Sequence, residues 1–357
     1  MKNIRIGILG YGFMGHEHMS MLRRLDGYEV VGVYDIDPAQ LTDVPDGVRI
    51  YSSDDELIGD GNVDVVLIAV NNKSHCELVI KAAEAGKDII CEKPVALTVD
   101  ELDRMVAAAD RHGVRFTVHQ QRRFDPDYRT IKAVYDSGRL GKIYSVKSSL
   151  YGFNGNMHDW HVYRSEGGGM LYDWGVHLLD QVLWMMPNAR LKTVYADLRN
   201  VINFEVDDYF KIIMRFDNDI VAEVELGTYF LTDKLNEKWF ERHWMVCGNK
   251  ACAYVDGFDP EGKIVTTSKL LTNVGGKRTM TAAGPTRSFG PPSEGTLVTE
   301  PIEKAQTRHE NFFENYYRAY MGEEEFVVKI SETRRVLKLM DAVRESAKTG
   351  ESVRFEW

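Results

Sequence analysis

Short apolar runs alternate with amphipathic stretches along the first 120 residues of the chain. The runs at 4–9, 30–34, 65–70, 88–91 and 115–118 are rich in valine and isoleucine and are apolar at nearly every position. Such runs are typical of strands buried on both faces of a sheet. Helical patterns lie between them at about 14–25, 74–85 and 99–112, and the last ends at Gly113, a common helix stop. This alternation predicts βαβ units, so the fold class is α/β with a doubly wound parallel sheet in the N-terminal part of the chain.

The pattern changes near residue 122, where we place a domain boundary between residues 1–122 and 123–357. Helical patterns occur near 128–135, 169–186, 306–321 and 330–348, and the runs 209–216 and 220–229 alternate like antiparallel strands. The stretch from 259 to 303 is rich in glycine, threonine, serine and proline and shows little periodicity. We therefore predict a long loop there, which is a cover for a site, a subunit arm or a disordered segment.

Composition and charge narrow the class of protein. The 357 residues carry 44 Lys and Arg against 54 Asp and Glu, a net charge of −10, which argues against a nucleic-acid partner. The longest apolar run, at 63–70, is far too short to span a membrane. The N-terminus lacks a signal-peptide pattern, and the four cysteines show neither a disulfide framework nor Cys-x-x-Cys pairs. We expect a cytoplasmic protein with reduced thiols that binds neither membrane nor nucleic acid.

Three glycines follow the first apolar run and precede a helical pattern. Gly10 permits a tight turn, Gly12 lets the backbone approach a pyrophosphate, and Gly15 allows close packing of strand and helix. The free N–H groups at the start of that helix attract phosphates. Asp35 lies 20 residues beyond Gly15, where a carboxylate accepts the hydroxyls of the NAD ribose and repels the 2′-phosphate of NADP. The spacing predicts a dinucleotide site that prefers NAD over NADP, although a tight turn without a ligand also fits the glycines alone.

Lys93 follows the strand that ends at residue 91, between Glu92 and Pro94. This position is the carboxyl edge of a parallel sheet, where doubly wound folds bind their ligands. A lysine there can hydrogen-bond a substrate hydroxyl and stabilise the alkoxide that forms as its proton leaves. Taken alone, a surface lysine before a turn proline is the simpler interpretation.

Five segments of the chain match one protein family in order and spacing. They are residues 10–15, 69–75, 86–96, 121–126 and 167–180. With them the sequence resembles the glucose–fructose oxidoreductase / inositol dehydrogenase / MocA (Gfo/Idh/MocA) oxidoreductases over about its first 185 residues, and the remainder matches in general layout. Asn71 replaces a proline that is usual in the family, and Trp174 replaces a smaller aliphatic residue. We expect the first departure to alter a turn and the second to reshape the substrate pocket.

The resemblance implies a Rossmann domain followed by an α/β domain with a large, mostly antiparallel sheet, whose exposed face joins subunits into a homo-dimer or homo-tetramer. It implies reversible hydride transfer between a nicotinamide and a secondary alcohol of a sugar, glycoside or cyclitol. Lys93, Asp173 and His177 fall on the family's catalytic positions. The predicted cofactor contacts are Gly10, Tyr11, Gly12, Phe13, Met14, Gly15, Asp35, Ala69, Asn71, Asn72, His75, Glu92, Lys93 and Gln121.

Asp173 and His177 are four residues apart in a helical pattern, so both side chains are expected on one helix face, with Asp180 nearby. A carboxylate beside an imidazole raises its basicity and orients it. We expect His177 to take the alcohol proton as a neutral base whose pKa needs no large shift. An Asp–His pair that only caps or packs the helix is the alternative.

The stretch 151–164 is dense in aromatic and hydrogen-bonding side chains, which can stack on a pyranose face and read its hydroxyls. We predict a substrate-recognition loop there, against the alternative of a polar loop between strands. The predicted substrate contacts are Lys93, Arg122, Asn154, His158, Trp160, His161, Arg164, Asp173 and His177. Arg122 and Arg123 also fit two solvated arginines. The histidines at 158 and 161 also fit a metal site together with Asp173 and His177, but hydride transfer needs no metal and we predict none.

Three functions are open at this point. The first is an NAD-dependent dehydrogenase that acts on a carbohydrate or polyol. The second is a glycosidase or eliminase that retains NAD and oxidises the sugar ring transiently. The third is a non-catalytic regulator that senses NAD or a sugar, and such a protein has no need of Lys93, Asp173 and His177.

Overall fold

The computed structural model describes residues 3–152, 159–230, 240–269, 278–287 and 295–355. The N-terminal strands are β1 (Ile4–Leu9), β2 (Tyr28–Tyr34), β3 (Arg49–Ile50), β4 (Val65–Ile68), β5 (Asp88–Glu92) and β6 (Phe116–His119). The helices between them are α1 (Phe13–Leu22), α2 (Asp54–Gly59), α3 (His75–Glu84) and α4 (Val99–His112). The strands form one parallel sheet in the order β3-β2-β1-β4-β5-β6, which confirms the doubly wound prediction.

Local sequence explains most of these elements. Every residue of β4 is buried, as expected for a central strand covered by helices on both faces. The hydroxyls of Ser53 and Thr98 accept backbone N–H bonds at the first turns of α2 and α4, and Gly113, with a φ of 66°, ends α4. The sequence reading missed β3, because this strand has only two residues and both are exposed.

The rest of the chain builds a second, larger sheet. Its helices are α5 (Pro126–Asp136) and α6 (Val176–Met185), and α6 follows a π-helical segment at Leu171–Gly175. The strands are β7 (Ile143–Gly152), β8 (Leu191–Arg199), β9 (Tyr209–Phe216), β10 (Val221–Gly227), β11 (Phe240–Gly248), β12 (Ala251–Asp256), β13 (Glu261–Thr267), β14 (Arg278–Thr281), β15 (Gly284–Arg287) and β16 (Leu297–Pro301). The chain closes with α7 (Asn311–Tyr320), α8 (Ile330–Thr349) and β17 (Val353–Arg354).

Nine of these strands pair in the order β16-β13-β12-β11-β7-β10-β9-β8-β17. Only the β10–β7 pair is parallel among the described pairs, so the sheet is mostly antiparallel, as the family resemblance implied. Buried and less buried residues alternate along β9, as expected for a strand with one face toward the core. Helices α5, α6 and α8 pack on this sheet.

The prediction of a long loop from 259 to 303 is wrong for the residues that the structure describes. Strands β13 and β16 pair with each other at one end of the large sheet, and β14 and β15 form a separate hairpin. The sequence signal was weak because β16 is exposed along its whole length and β13 buries one residue fully, Ile264. Pairing with β12 supplies the order that periodicity did not show.

The C-terminal helices return to the first sheet. The hydroxyl of Tyr28 donates to the carbonyl of Phe313 at 2.7 Å, and the hydroxyl of Thr117 donates to the carbonyl of Val328 at 3.0 Å. The boundary that we propose at residue 122 falls in a 3₁₀ turn, Gln121–Phe124, between the two sheets. Among the described helices, none is both long and apolar enough to cross a bilayer.

Candidate active site

The glycine turn after β1 has the shape that a pyrophosphate requires. Gly10 has a φ of +89°, and a Cβ there would lie 2.3 Å from the carbonyl oxygen of Ala69. A Cβ on Gly15 would lie 2.3 Å from the Gly10 carbonyl oxygen, whereas one on Gly12 would meet no atom within 4 Å. The start of α1 has neither a side-chain cap nor an acidic residue in its first turn, so its N–H groups are available to an anion. The residues of this turn therefore fit a dinucleotide phosphate.

Asp35 follows β2 and lies against this turn. One carboxylate oxygen accepts the N–H of Tyr11 at 2.6 Å, and the other accepts the N–H of Asp37 at 2.8 Å. These two bonds orient the carboxylate, and each oxygen keeps capacity for a ribose hydroxyl because a carboxylate oxygen accepts about two hydrogen bonds. The side chain is thus placed as the NAD prediction requires.

Several predicted cofactor residues join the first domain to the glycine-rich segment before the π-helix. Asn72 Nδ2 donates to the Gly167 carbonyl at 3.0 Å, and Lys73 pairs with Glu166 at 2.6 Å. Asn71, where the family usually has proline, accepts the hydroxyl of Ser74 at 2.7 Å. These contacts hold the loop after β4 against the second domain.

Two predicted cofactor residues have partners inside the protein. His75 is buried, and its ring nitrogens lie 2.9 Å from the Pro94 carbonyl and 3.1 Å from the Val70 carbonyl. Glu92 is also buried and contacts His18 and His119. Both side chains brace the loops at the sheet edge, and direct contact with the cofactor stays a prediction for these two residues as for the others. Among those, Gln121 is buried at the end of β6, and its Oε1 has no hydrogen-bond partner among the described residues.

Lys93 and Asp173 meet between the two domains. The Lys93–Pro94 peptide bond is cis. Lys93 Nζ donates to Asp173 Oδ1 at 2.8 Å and to the Asp173 carbonyl at 3.1 Å. Burial alone would raise the pKa of Asp173, but the charge and hydrogen bond of Lys93 outweigh it and hold that pKa below its ordinary value. The pair is therefore a cation and an ionised carboxylate.

His177 is buried next to this pair, but two expectations about it are wrong. Burial, together with the charges of Lys93 and Arg122, lowers the pKa of His177 well below its ordinary value, whereas we expected no large shift. The carboxylate of Asp173 bonds Lys93, and His177 Nδ1 has no hydrogen-bond partner among the described residues. The physical reason is the π-helical segment Leu171–Gly175, because its wider turn changes the α-helical i,i+4 alignment that the spacing assumed.

An aromatic and cationic group, the Trp174 cluster, lies beside His177. It consists of Trp174, Arg122 and Phe258. The guanidinium of Arg122 sits 4.0 Å from the centre of the Trp174 ring, and the Phe258 ring lies 5.9 Å from Trp174. Trp174 and His177 have ring centroids 6.1 Å apart. Phe258 follows β12. It was not predicted from the sequence, because no motif in the residues next to it indicates a functional site.

Arg123, in contrast, is not in the site. Its guanidinium is buried and forms two bonds with the Asp180 carboxylate, at 2.8 Å and 2.6 Å. It also donates to Glu332 at 2.7 Å. Neither a substrate contact nor a solvated arginine therefore describes this residue.

Part of the predicted substrate-recognition loop can be placed. Asn154 and His158 lie outside the described residues. The rings of Trp160 and His161 stack 3.8 Å apart, and the charge of His161 contributes to lowering the pKa of Asp173. Arg164 is exposed, and its guanidinium donates to the Glu205 carbonyl at 2.6 Å. The carbonyl of His161 would lie 2.1 Å from a Cβ on Gly168, which explains a glycine there.

A residue that was not predicted from the sequence, Asp207, binds the backbone at the start of the π-helical segment. Asp207 accepts the N–H of Leu171 at 2.7 Å, and its carbonyl accepts the N–H of Met170 at 2.9 Å. Burial raises the pKa of Asp207 to about 6.

Within the described ranges one group has ligand atoms close enough for a metal ion, namely His18, Glu92 and His119, and it does not include His161 or His177.

Comparison with known proteins shows which family this site belongs to. Residues 4–120 match the model of the oxidoreductase family with an NAD-binding Rossmann fold, and residues 128–253 match the GFO/IDH/MocA C-terminal domain. The chain belongs to the Gfo/Idh/MocA oxidoreductase family. This confirms the resemblance, and the N-terminal domain is the family's NAD-binding Rossmann domain.

Three known proteins show what this Gfo/Idh/MocA chain is similar to. The crystal structure of an NAD-binding protein from Listeria innocua shares 35% identity and a TM-score of 0.88, and covers 99% of this chain and 100% of that one. A scyllo-inositol 2-dehydrogenase (NADP(+)), IolW of Bacillus subtilis, is 30% identical over 60% of this chain and 61% of that protein. A 2,7-anhydro-N-acetylneuraminate hydratase of Mediterraneibacter gnavus is 28% identical over 74% of this chain and 70% of that protein.

Proposed function

We propose that the chain is an NAD-dependent dehydrogenase that oxidises a secondary alcohol of a sugar, glycoside or cyclitol. The observation that carries the proposal is the Lys93–Asp173 ion pair beside a buried His177, at the carboxyl edge of the NAD-binding sheet. A regulatory protein that catalyses no reaction would have no need of these three side chains. The similarity to scyllo-inositol 2-dehydrogenase supports a polyhydroxylated ring as substrate.

The residues divide the work of alcohol oxidation between them. The nicotinamide of NAD, when bound, accepts the hydride. Lys93 uses two of its three N–H groups on Asp173, so one N–H is left to donate to the substrate oxygen as negative charge develops on it. His177, held neutral by its low pKa, takes the hydroxyl proton and returns it in the reverse direction. The Trp174 cluster offers aromatic surface to the C–H face of a ring.

The direct test is reduction of NAD by the purified protein across a panel of hexoses, glycosides and inositols. We expect NADH absorbance to grow in proportion to oxidised product for at least one compound. Absence of both NADH and product over the whole panel, with NAD bound, would remove the dehydrogenase proposal.

A second candidate function uses the same residues without net oxidation. The similarity to a 2,7-anhydro-sugar hydratase favours it. In this alternative NAD would stay bound and hold the hydride only transiently. Oxidation of a hydroxyl acidifies the neighbouring C–H bond, so that proton and the glycosidic group leave, water adds in place of the group, and the hydride returns to the ring. Product that forms over many turnovers with no NADH released would favour this reaction over the dehydrogenase.

We expect the acid limb of alcohol oxidation to reflect the low pKa of His177. A base with a lowered pKa stays unprotonated to lower pH, so kcat/KM should keep its value as pH falls through 6.5, the ordinary histidine value. Removing a neighbouring cation with Arg122→Met should move this limb to higher pH. The matched control is Arg190→Met, an exposed arginine, which should leave the limb in place. A wild-type limb at or above pH 6.5 that disappears in His177→Asn would show that His177 is the base but that its pKa is not lowered.

Asp35→Ser tests the preference for NAD. We expect weaker NAD binding and tighter NADP binding, with a change in the ratio of the two Kd values of about tenfold or more, because the carboxylate no longer repels the 2′-phosphate. The control Asp37→Ser removes a nearby exposed carboxylate that caps the turn Pro38–Leu41. Calorimetric titration with each cofactor measures both values. An equal ratio in wild type and Asp35→Ser would show that this carboxylate does not select the cofactor.

We also propose that the chain forms a homo-dimer or homo-tetramer through the open face of its large sheet. We propose in addition that it works in the cytosol. Tyr144 and Tyr195 are 53% and 41% exposed, although both lie on strands of that sheet. All four cysteines carry free thiols, as a reducing compartment would leave them. Sedimentation analysis tests the assembly, and a monomer at micromolar concentration would exclude it.

A further inference from the structure

Three buried side chains meet beneath the turn that carries Lys93, and we refer to them as the Glu92 triad. Glu92 Oε1 lies 2.7 Å from His18 Nε2 and 2.8 Å from His119 Nδ1. His18 and His119 have no exposed surface, and Glu92 is 4% exposed. The two rings pack edge to face with centroids 4.5 Å apart. A carboxylate so far from solvent must be stabilised by the groups that contact it.

The direction of the hydrogen bonds in the Glu92 triad follows from its geometry. Two ring nitrogens point at one carboxylate oxygen, so each of them carries a proton and donates it. The opposite nitrogens, His18 Nδ1 and His119 Nε2, are buried without a hydrogen-bond partner among the described residues. A bare ring nitrogen loses less on burial than an N–H would, so the N–H of each ring lies on the nitrogen that faces Glu92. Burial lowers the pKa of His119 to about 4; burial alone would raise the pKa of Glu92, but its contacts with His119 and His18 outweigh that effect and hold it well below its ordinary value.

The other oxygen of the same carboxylate connects the triad to the site. Glu92 Oε2 accepts the backbone N–H of Lys93 at 3.0 Å. The same residue then extends its Nζ to Asp173. The carboxylate is therefore anchored at one oxygen by two histidines from α1 and β6, and at the other it holds the backbone from which the ammonium group projects.

We propose that His18 and His119 are positioning residues, which hold Glu92 so that its second oxygen fixes the Lys93 backbone and aims the ammonium group at the substrate. The inference rests on the proposed function for its effect on turnover, but the placement of Lys93 can be measured without any substrate. It assigns Glu92 to Lys93 rather than to the cofactor. The triad thus serves the chemical step and leaves NAD binding to the glycine turn and Asp35.

The same three residues also fit a metal ion by ligand type, and the geometry argues against that use. Nitrogen–oxygen contacts of 2.7 Å and 2.8 Å to a single oxygen leave no room for an ion between them. A zinc ion would keep each ligand about 2.0–2.2 Å from itself, which sets ligand atoms roughly 3 Å or more apart. These contacts are hydrogen bonds of ordinary length.

The experiment replaces each histidine with an amide residue, whose N–H can donate from the place of one ring nitrogen. The amide of asparagine can stand where Nδ1–H stands, so His119→Asn keeps the donor to Glu92, whereas His119→Leu removes it. The amide of glutamine can stand where Nε2–H stands, so His18→Gln keeps its donor and His18→Leu does not. Each variant is measured for its melting temperature, for hydrogen exchange at the Lys93 amide, for NAD affinity, and for kcat and KM on the best compound of the panel.

We expect both leucine variants to lose about tenfold or more in protection of the Lys93 amide and in kcat, because a positioning hydrogen bond is lost. The NAD Kd should stay within about twofold of wild type, and the asparagine and glutamine variants should recover most of both losses. If the paired variants are equally defective while folded, the donors do not matter and the proposal is wrong. Loss of NAD affinity in step with kcat would assign Glu92 to the cofactor instead.

Two further outcomes distinguish this proposal from a metal site and from a failure of the proposed function. Stoichiometric metal in the purified protein, lost in His119→Leu, would replace the positioning role with a metal site. If the panel yields no substrate, the proposed function fails, yet Lys93 amide exchange in the paired variants still decides the role of the triad.

Discussion

Lys93→Met should lose at least about a hundredfold in kcat while its NAD affinity stays close to that of wild type. Lys93 is the donor placed to stabilise the developing alkoxide, and methionine keeps the length of the side chain without the charge. Its ammonium group is also the cation that keeps Asp173 ionised, so the variant should raise the pKa of that carboxyl. Stopped-flow rates on the panel substrate and calorimetry with NAD measure the two effects separately.

The control for this substitution is Lys142→Met. Lys142 is exposed and pairs with Asp219 at 3.2 Å, far from the glycine turn along the chain. It should leave kcat and NAD affinity unchanged. Full activity of Lys93→Met on the true substrate would show that the mechanism proposed for this site is wrong.

Arg123→Met should destabilise the protein by about 3–5 kcal/mol, because it leaves buried carboxylates without their cation. Arg123 bonds Asp180 and Glu332 and donates to the Val327 carbonyl at 2.7 Å. It therefore joins α6, which carries His177, to the start of α8. Urea unfolding, followed by tryptophan fluorescence and circular dichroism, measures the change.

An exposed ion pair provides the contrast. Arg199 pairs with Asp197 at 2.8 Å, and both side chains are solvated. Arg199→Met should cost less than about 1 kcal/mol, since water screens the pair. If the two arginine variants lose the same free energy of unfolding, the buried network contributes nothing beyond a surface contact.

The parallel sheet and the glycine turn could be predicted because their signals are local. Buried strands such as β4 are apolar at every position, and the glycines at 10, 12 and 15 lie within one turn. The large sheet was harder to predict, since edge strands such as β16 bury nothing and obtain their order from the neighbouring strand. The family resemblance, rather than periodicity, supplied its layout.

The site was predicted in its parts but not in its contacts. Lys93, Asp173 and His177 were named together, yet the expected Asp173–His177 pair proved to be a Lys93–Asp173 pair. The reason is that helical spacing assumes an α-helix, and the chain is π-helical at Leu171–Gly175. Phe258 was missed altogether, because it reaches Trp174 from the turn after β12, far away along the chain.

The family resemblance supplied the catalytic candidates. The sequence by itself determined the fold class, the dinucleotide turn and the choice of Asp35. Each of these depends on residues that are neighbours along the chain or stand at a fixed interval from one another. Only the tertiary structure decided which groups touch: Lys93 and Asp173 are 80 residues apart, and His18 and Glu92 are 74 apart. The fold also lowered the pKa of Asp173 and of Glu92, because the pKa of a group depends on the solvent and charges that the folded chain places around it.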